Sequence, residues 1–207
     1  MAAIKRHAVI IIVSKWVLFF AALLPLGFIL EDVLNGGIGP DPGQAITERL
    51  GLAAFQLLLL TLAITPLRQV TGWSGWLRFR RMLGLFAFFY AGLHILAFLQ
   101  LLLGWSDLWT SFTRRPYIIA GATAFVLMVP LAATSTRATM RRVGRAWKPL
   151  HRLIYPAAVL VWVHFLWQAR SDITEMVIYG AILSLLLLLR IYWFGLATLI
   201  PLSRRSR

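Results

Sequence analysis

Residues 82–103 read MLGLFAFFYAGLHILAFLQLLL, and positions 78–81 before them read RFRR. No Asp, Glu, Lys or Arg interrupts the apolar run, which carries one histidine, His94. A helix needs roughly 20 mainly apolar residues to cross the hydrocarbon core of a bilayer. This stretch meets that requirement. Five others like it surround it, at about 8–30, 50–66, 117–134, 150–168 and 176–199. Backbone polar groups in lipid must be satisfied inside the protein, which leaves helices or a closed barrel. The alternation of polar and apolar residues that a barrel needs is absent. The expected fold class is all-α: an integral membrane six-helix bundle, one domain over residues 1–207.

Composition points the same way. Sixty per cent of the 207 residues are hydrophobic and 14% are charged, whereas soluble domains are about half apolar and about a quarter charged. Soluble globular and disordered classes are excluded. The absence of cysteine excludes disulfides, iron–sulfur clusters, thiolate haem ligation and cysteine zinc sites. The net charge of +14 does not imply nucleic acid, because the charges sit in short loops between the apolar runs. Lys5 and Arg6 before the first run also fit a signal peptide, but the run is too long and no clean cleavage site follows. No internal repeat, low-complexity segment or soluble domain is evident.

The charges sort by side. Lys5, Arg6, Lys15, Arg68, Arg78, Arg80, Arg81, Arg137, Arg141, Arg142, Arg145, Lys148, Arg152, Arg204, Arg205 and Arg207 fall at one set of span ends. The opposite ends hold Arg49, Arg114, Arg115 and Arg170, together with all seven acids: Glu31, Asp32, Asp41, Glu48, Asp107, Asp172 and Glu175. The positive-inside rule places the first set in the cytoplasm. Both termini are then cytoplasmic, and the other side is weakly acidic.

Ionisable residues inside a membrane are costly and mark functional sites. His94 lies twelve residues into the third span, roughly 18 Å at 1.5 Å per residue. His164 lies thirteen residues beyond His151 on the fifth span, which also runs outward, roughly 20 Å. The two imidazoles therefore reach matching depth. Two neutral imidazoles across an apolar bundle are the ligand set of a six-coordinate haem bound between helices. The bland alternative is that each histidine bonds a neighbouring carbonyl and glues helices together. His151, nearer the cytoplasm, has Arg80 for company. Arg80 precedes His94 by fourteen residues, close to four helical turns. Arginine is a poor iron ligand but a good partner for a propionate or phosphate. That inner site reads as a single-histidine haem, a flavin phosphate site or a propionate clamp. His151 and His164 are well off one stripe of an ideal helix, and Pro156 between them removes one helix hydrogen bond and predicts a kink or local unwinding of the span. His7 is assigned no role.

These residues resemble a known family. Arg80, Arg81, Met82, Leu83, Gly84 and Leu85, with Tyr90 and His94 following, resemble the third helix of ferric-reductase-like transmembrane domains. The run from Trp147 through Lys148, Leu150, His151, Arg152 and Tyr155 to Pro156 resembles the start of their fifth helix, which His164 completes. Chain length, six spans and no fused flavin dehydrogenase narrow the resemblance to bacterial inner-membrane haem subunits that serve a periplasmic reductase. It implies haem b, and a second haem by position. It also implies FMN. The implied partners are a periplasmic molybdopterin-dependent methionine sulfoxide reductase and, as electron donor, a cytoplasmic flavin reductase or the quinol pool. Carried over by position, His94, His164 and His151 are the metal ligands, and Arg80, Arg81 and Arg152 join them in binding the cofactor. Arg80 stands where eukaryotic oxidase relatives have a histidine, a departure that bears on a second bis-histidine haem.

Other features have plainer readings. The basic cluster of Arg78, Arg80, Arg81, Arg141, Arg142, Arg145 and Lys148 reads as a topology signal in contact with lipid headgroups, or as an anionic-cofactor site or docking patch for a flavoprotein donor. Arg190 is expected to snorkel from the end of the last span, or to meet a propionate. Trp73, Trp76, Trp105, Trp109, Trp147 and Trp193 read as an aromatic belt. Tyr90, Tyr155 and Tyr179 read as core. The Gly36–Gly37 and Gly39–Pro40 region reads as a turn. Two other function classes stay open beside electron transfer through haem: a stand-alone transmembrane ferric or metal reductase or oxidase, and a non-redox transporter or scaffold with structural histidines.

Overall fold

A computed structural model describes residues 2–105, 108–168 and 173–195. Asp107, Arg170, Asp172, Arg204, Arg205 and Arg207, used above for orientation, lie outside them. All regular structure among the described residues is helical, and six helical stretches there are long and apolar enough to cross a membrane. The chain divides into two compact units, Met1–Leu102 and Leu103–Arg207.

The first unit holds α1 (Ala2–Leu34), α2 (Pro42–Thr71) and α3 (Leu77–Ala97). The second span is longer than its apolar stretch, because helix signals outside that stretch extend it at both ends. Asp41 caps α2, accepting from the Gln44 amide at 3.0 Å, and Pro42 occupies the first turn, where its missing N–H costs nothing. Gly72 ends it in a left-handed conformation (φ 68°). The stretch between the first two apolar runs is therefore helical except between Leu34 and Pro42. Arg49 and Asp32 form an ion pair beside it. α2 and α3 pack along their length. The turn from α2 into α3 carries a short 3-10 segment, Ser74–Trp76, where Trp73 meets Trp76 edge-on. α3 continues as a π-helix, Phe98–Leu103.

Tyr90 joins α1 to α3. It is 0% exposed, and its hydroxyl donates to the Ala22 carbonyl at 2.8 Å while accepting from the Leu26 amide at 3.2 Å. Those two groups are i and i+4 on α1, so the hydroxyl sits inside the helix ladder next to Pro25, where the ladder already lacks an N–H. Tyr90→Phe is expected to cost about 1 kcal/mol, read as a lower thermal midpoint in detergent with unchanged helix content. An unchanged midpoint would show that α1 closes its own ladder at no cost.

The second unit holds α4 (Leu108–Arg114), α5 (Pro116–Ala133), α6 (Arg137–Val143), α7 (Trp147–Leu150), α8 (Ile154–Gln168) and α9 (Thr174–Phe194). The stretch 135–149 between the fourth and fifth apolar runs is mostly helical. Thr136 and Thr139 form a capping box that starts α6, and two short segments lead to a 3-10 turn at His151–Leu153. Pro156 lies in the first turn of α8, and one turn before it the helix loosens into the 3-10 segment His151–Leu153, which contains Arg152, the residue whose carbonyl the proline's missing N–H leaves without its helical donor. α8 packs on α5 and, less extensively, on α9. Arg190 of α9 lies over the rings of Tyr155 and Phe194, 5.2 and 5.1 Å from their centroids. Cation–π contact therefore accompanies any snorkelling.

The two units contain the same helical hairpin. Four buried positions of the α2–α3 pair recur as buried positions 70 residues later in the α5–α8 pair: Leu50 and Ala120, Leu58 and Met128, Thr61 and Leu131, Ala87 and Ala157. The sequence hides this repeat, because three of the four pairs differ in residue type.

Candidate functional site

Two of the four histidines occupy equivalent places in the two hairpins. In the first unit, Nδ1 of His94 lies 2.8 Å from the Thr47 carbonyl in the second turn of α2. In the second, Nδ1 of His164 lies 2.6 Å from the Tyr117 carbonyl in the first turn of α5. The partners are 47 residues apart in both cases. A carbonyl only accepts, so Nδ1 must carry the proton, and Nε2 then has the lone pair. Both rings press on glycine. A Cβ on Gly51 would lie 2.9 Å from His94 Nδ1, and a Cβ on Gly121 would lie 2.9 Å from His164 Nδ1. The glycine follows the accepting carbonyl by four residues in each hairpin.

This arrangement suits haem ligation. A metal-binding imidazole that donates its other N–H to a carbonyl has a fixed tautomer and ring plane and is a more basic ligand. Among the described residues no group of three or more His, Cys, Asp or Glu could hold a bare metal ion. A porphyrin needs only two axial ligands from the protein, and the donor chemistry of these two imidazoles fits it.

His151 stands apart. Its Nε2 lies 3.0 Å from the Thr134 hydroxyl at the far end of α5 from Tyr117, roughly 25 Å away at the helical rise. That hydroxyl gives its proton to the Pro130 carbonyl at 2.6 Å, so Nε2 of His151 is the donor here. Ligation of iron through that nitrogen would require this bond to break. The Trp147 ring lies on the imidazole, 4.1 Å between centroids, and its Nε1 donates to the Thr134 carbonyl at 3.0 Å. Trp147 thus does more than mark a membrane interface. Of the arginines, Arg80 and Arg152 are half-buried and Arg81 is exposed. Arg80 and Arg81 belong to the first unit, and His151 and Arg152 to the second.

Sequence reasoning missed Thr47, Gly51, Tyr117 and Gly121. A carbonyl leaves no trace in residue identity. The recurrence of glycine 43 residues before each deep histidine was the available signal. Trp162 was also missed. Its Nε1 donates to the Met176 carbonyl at 2.9 Å, and its ring lies on Gly180.

Comparison with known proteins came to the same region. Residues 50–162 match the family model described as ferric reductase like transmembrane component. The protein-methionine-sulfoxide reductase heme-binding subunit MsrQ of Xanthomonas euvesicatoria pv. vesicatoria (strain 85-10) is 46% identical over 204 residues, covering 95% of this chain and 93% of its own. The protein of that name from Xanthomonas campestris pv. campestris (strain 8004) is 47% identical over 195 residues, covering 90% and 89%. That from Xanthomonas axonopodis pv. citri (strain 306) is 46% identical over 204 residues, covering 95% and 93%.

Proposed function

Because the chain belongs to the ferric reductase like transmembrane family, of the MsrQ type, we propose that it is the haem b electron-transfer subunit of a methionine sulfoxide reductase system. It passes electrons across the bacterial inner membrane to a periplasmic molybdopterin enzyme that repairs oxidised proteins. One observation carries this reading: His94 and His164 sit at equivalent positions of a repeated hairpin, each with Nδ1 engaged by a carbonyl. We assign Nε2 of His94 and Nε2 of His164 as the nitrogens that would hold haem iron, and haem, when bound, would supply a one-electron carrier.

His151 is the third candidate ligand, for a second haem, at the cost of its bond to Thr134. Arg80 and Arg81 in the first unit and Arg152 in the second supply positive charge for haem propionates or the phosphate of FMN. The basic end faces the cytoplasm on the positive-inside rule. There Arg137, Met140 and Arg141 line an open depression that suits an acidic flavin reductase donor, with the quinol pool as the other source. The acidic end faces the periplasmic partner.

Purified protein in vesicles tests this. The haem is expected to be reduced by flavin reductase with NADH, or by a quinol, and reoxidised when the periplasmic reductase and a methionine sulfoxide peptide are added. A haem that is reduced but is not reoxidised by that pair would overturn the assignment.

A further inference from the structure

The seat of each deep histidine has a third copy in which the ring is an indole. Trp162 donates to the Met176 carbonyl and rests against Gly180, again four residues on. An indole nitrogen can only donate. The same direction follows at His94 and His164 from the carbonyls they face. The glycine has a steric reason. Cα–Cβ bonds on a helix tilt toward its N-terminus, so the side chain at i+4 shields the carbonyl of residue i. Glycine uncovers that oxygen, which then accepts a second hydrogen bond beside its helical one.

We propose that Thr47–Gly51 and Tyr117–Gly121 are matched positioning pairs for His94 and His164: each glycine exposes a carbonyl that takes the Nδ1 proton and presents Nε2 to haem iron. The inference rests on the haem reading above and deepens it. The pairs set two properties at once. The contact between ring and glycine fixes the plane of the imidazole, and the charge drawn along Nδ1–H···O makes the ring a stronger donor to iron. A stronger donor favours the oxidised iron and lowers the potential.

Alanine at either position puts a methyl 2.9 Å from Nδ1, so the ring must tilt and its hydrogen bond lengthen. Gly51→Ala and Gly121→Ala are each expected to shift the electron paramagnetic resonance g-values of the oxidised haem. Each should also raise the reduced-to-oxidised ratio several-fold at a fixed poising potential. Gly180→Ala is the control. It crowds Trp162 at 2.6 Å and should lower thermal stability while leaving g-values and reduced fraction as in the wild type. Equal shifts in all three variants, or wild-type values in Gly51→Ala and Gly121→Ala, would overturn the inference.

The unaltered protein gives a second readout, which holds even where a variant fails to fold. Proton electron–nuclear double resonance on its oxidised haem is expected to find both Nδ1 protons in hydrogen bonds shielded from solvent exchange. Rapidly exchanging protons would overturn the inference with the haem reading intact. A wild-type chain that takes up no haem would overturn both.

Discussion

His94→Ala and His164→Ala, singly or together, are expected to abolish the low-spin b-type spectrum. Each hairpin offers one deep imidazole, seated by one carbonyl. Removing either leaves iron with a single strong axial ligand, so the haem turns high-spin or is lost. The effect should be near-complete in each single variant. Imidazole added to His94→Ala should restore part of the low-spin signal, because the deleted ring leaves a space of its own shape. His151→Ala should leave that signal in place, since His151 is anchored by Thr134 at the far end of α5. Its effect should fall on haem stoichiometry if a second haem is bound. Absorption spectra of the purified variants decide the matter. A wild-type spectrum in either His94→Ala or His164→Ala would contradict the ligand assignment.

Ala87→Leu and Ala157→Leu come next in expected size. Both alanines are 0% exposed and hold equivalent places in the two hairpins. Lipid is as apolar as a leucine side chain, so membrane helices associate through close packing of small residues and not through a hydrophobic drive. Forcing three more carbons into such a contact costs about 1–3 kcal/mol and separates the helices. His94 lies two turns along α3 from Ala87, and His164 two turns along α8 from Ala157. A separation there withdraws the rings from Thr47 and Tyr117. The expected result is a lower thermal midpoint together with reduced haem occupancy. Leucine at Val126, exposed on α5, should change neither. Full occupancy and an unchanged midpoint in both alanine variants would show that the hairpins tolerate looser packing.

The spans were legible because a bilayer demands length and apolarity and little else, so 82–103 and its five counterparts stood out at once. Their ends were less so. The cap at Asp41 and Pro42 and the left-handed Gly72 lengthen α2 beyond its apolar stretch. Those signals are ordinary helix chemistry outside the hydrocarbon core. Pro156 signals a local loosening of the fifth span, and the 3-10 turn at His151–Leu153 lies one turn before it, where the proline supplies no N–H. His94 and His164 were legible as a depth-matched pair, since rise per residue is fixed. Their seats were not, because the accepting atoms are backbone oxygens of Thr47 and Tyr117, whose side chains carry no message. Tyr90 reads as core and is core. Its hydroxyl inside the α1 ladder depends on a contact 68 residues away in the chain, beyond the reach of local pattern.

The central claim is that His94 and His164 hold one low-spin haem b. The measurement that tests it most directly is the reduced-minus-oxidised visible spectrum of the purified chain, with pyridine haemochrome quantitation. The account predicts a low-spin b-type spectrum with at least one haem per chain. A chain expressed with ample haem that shows no such spectrum would contradict it and leave both histidines as ties between helices.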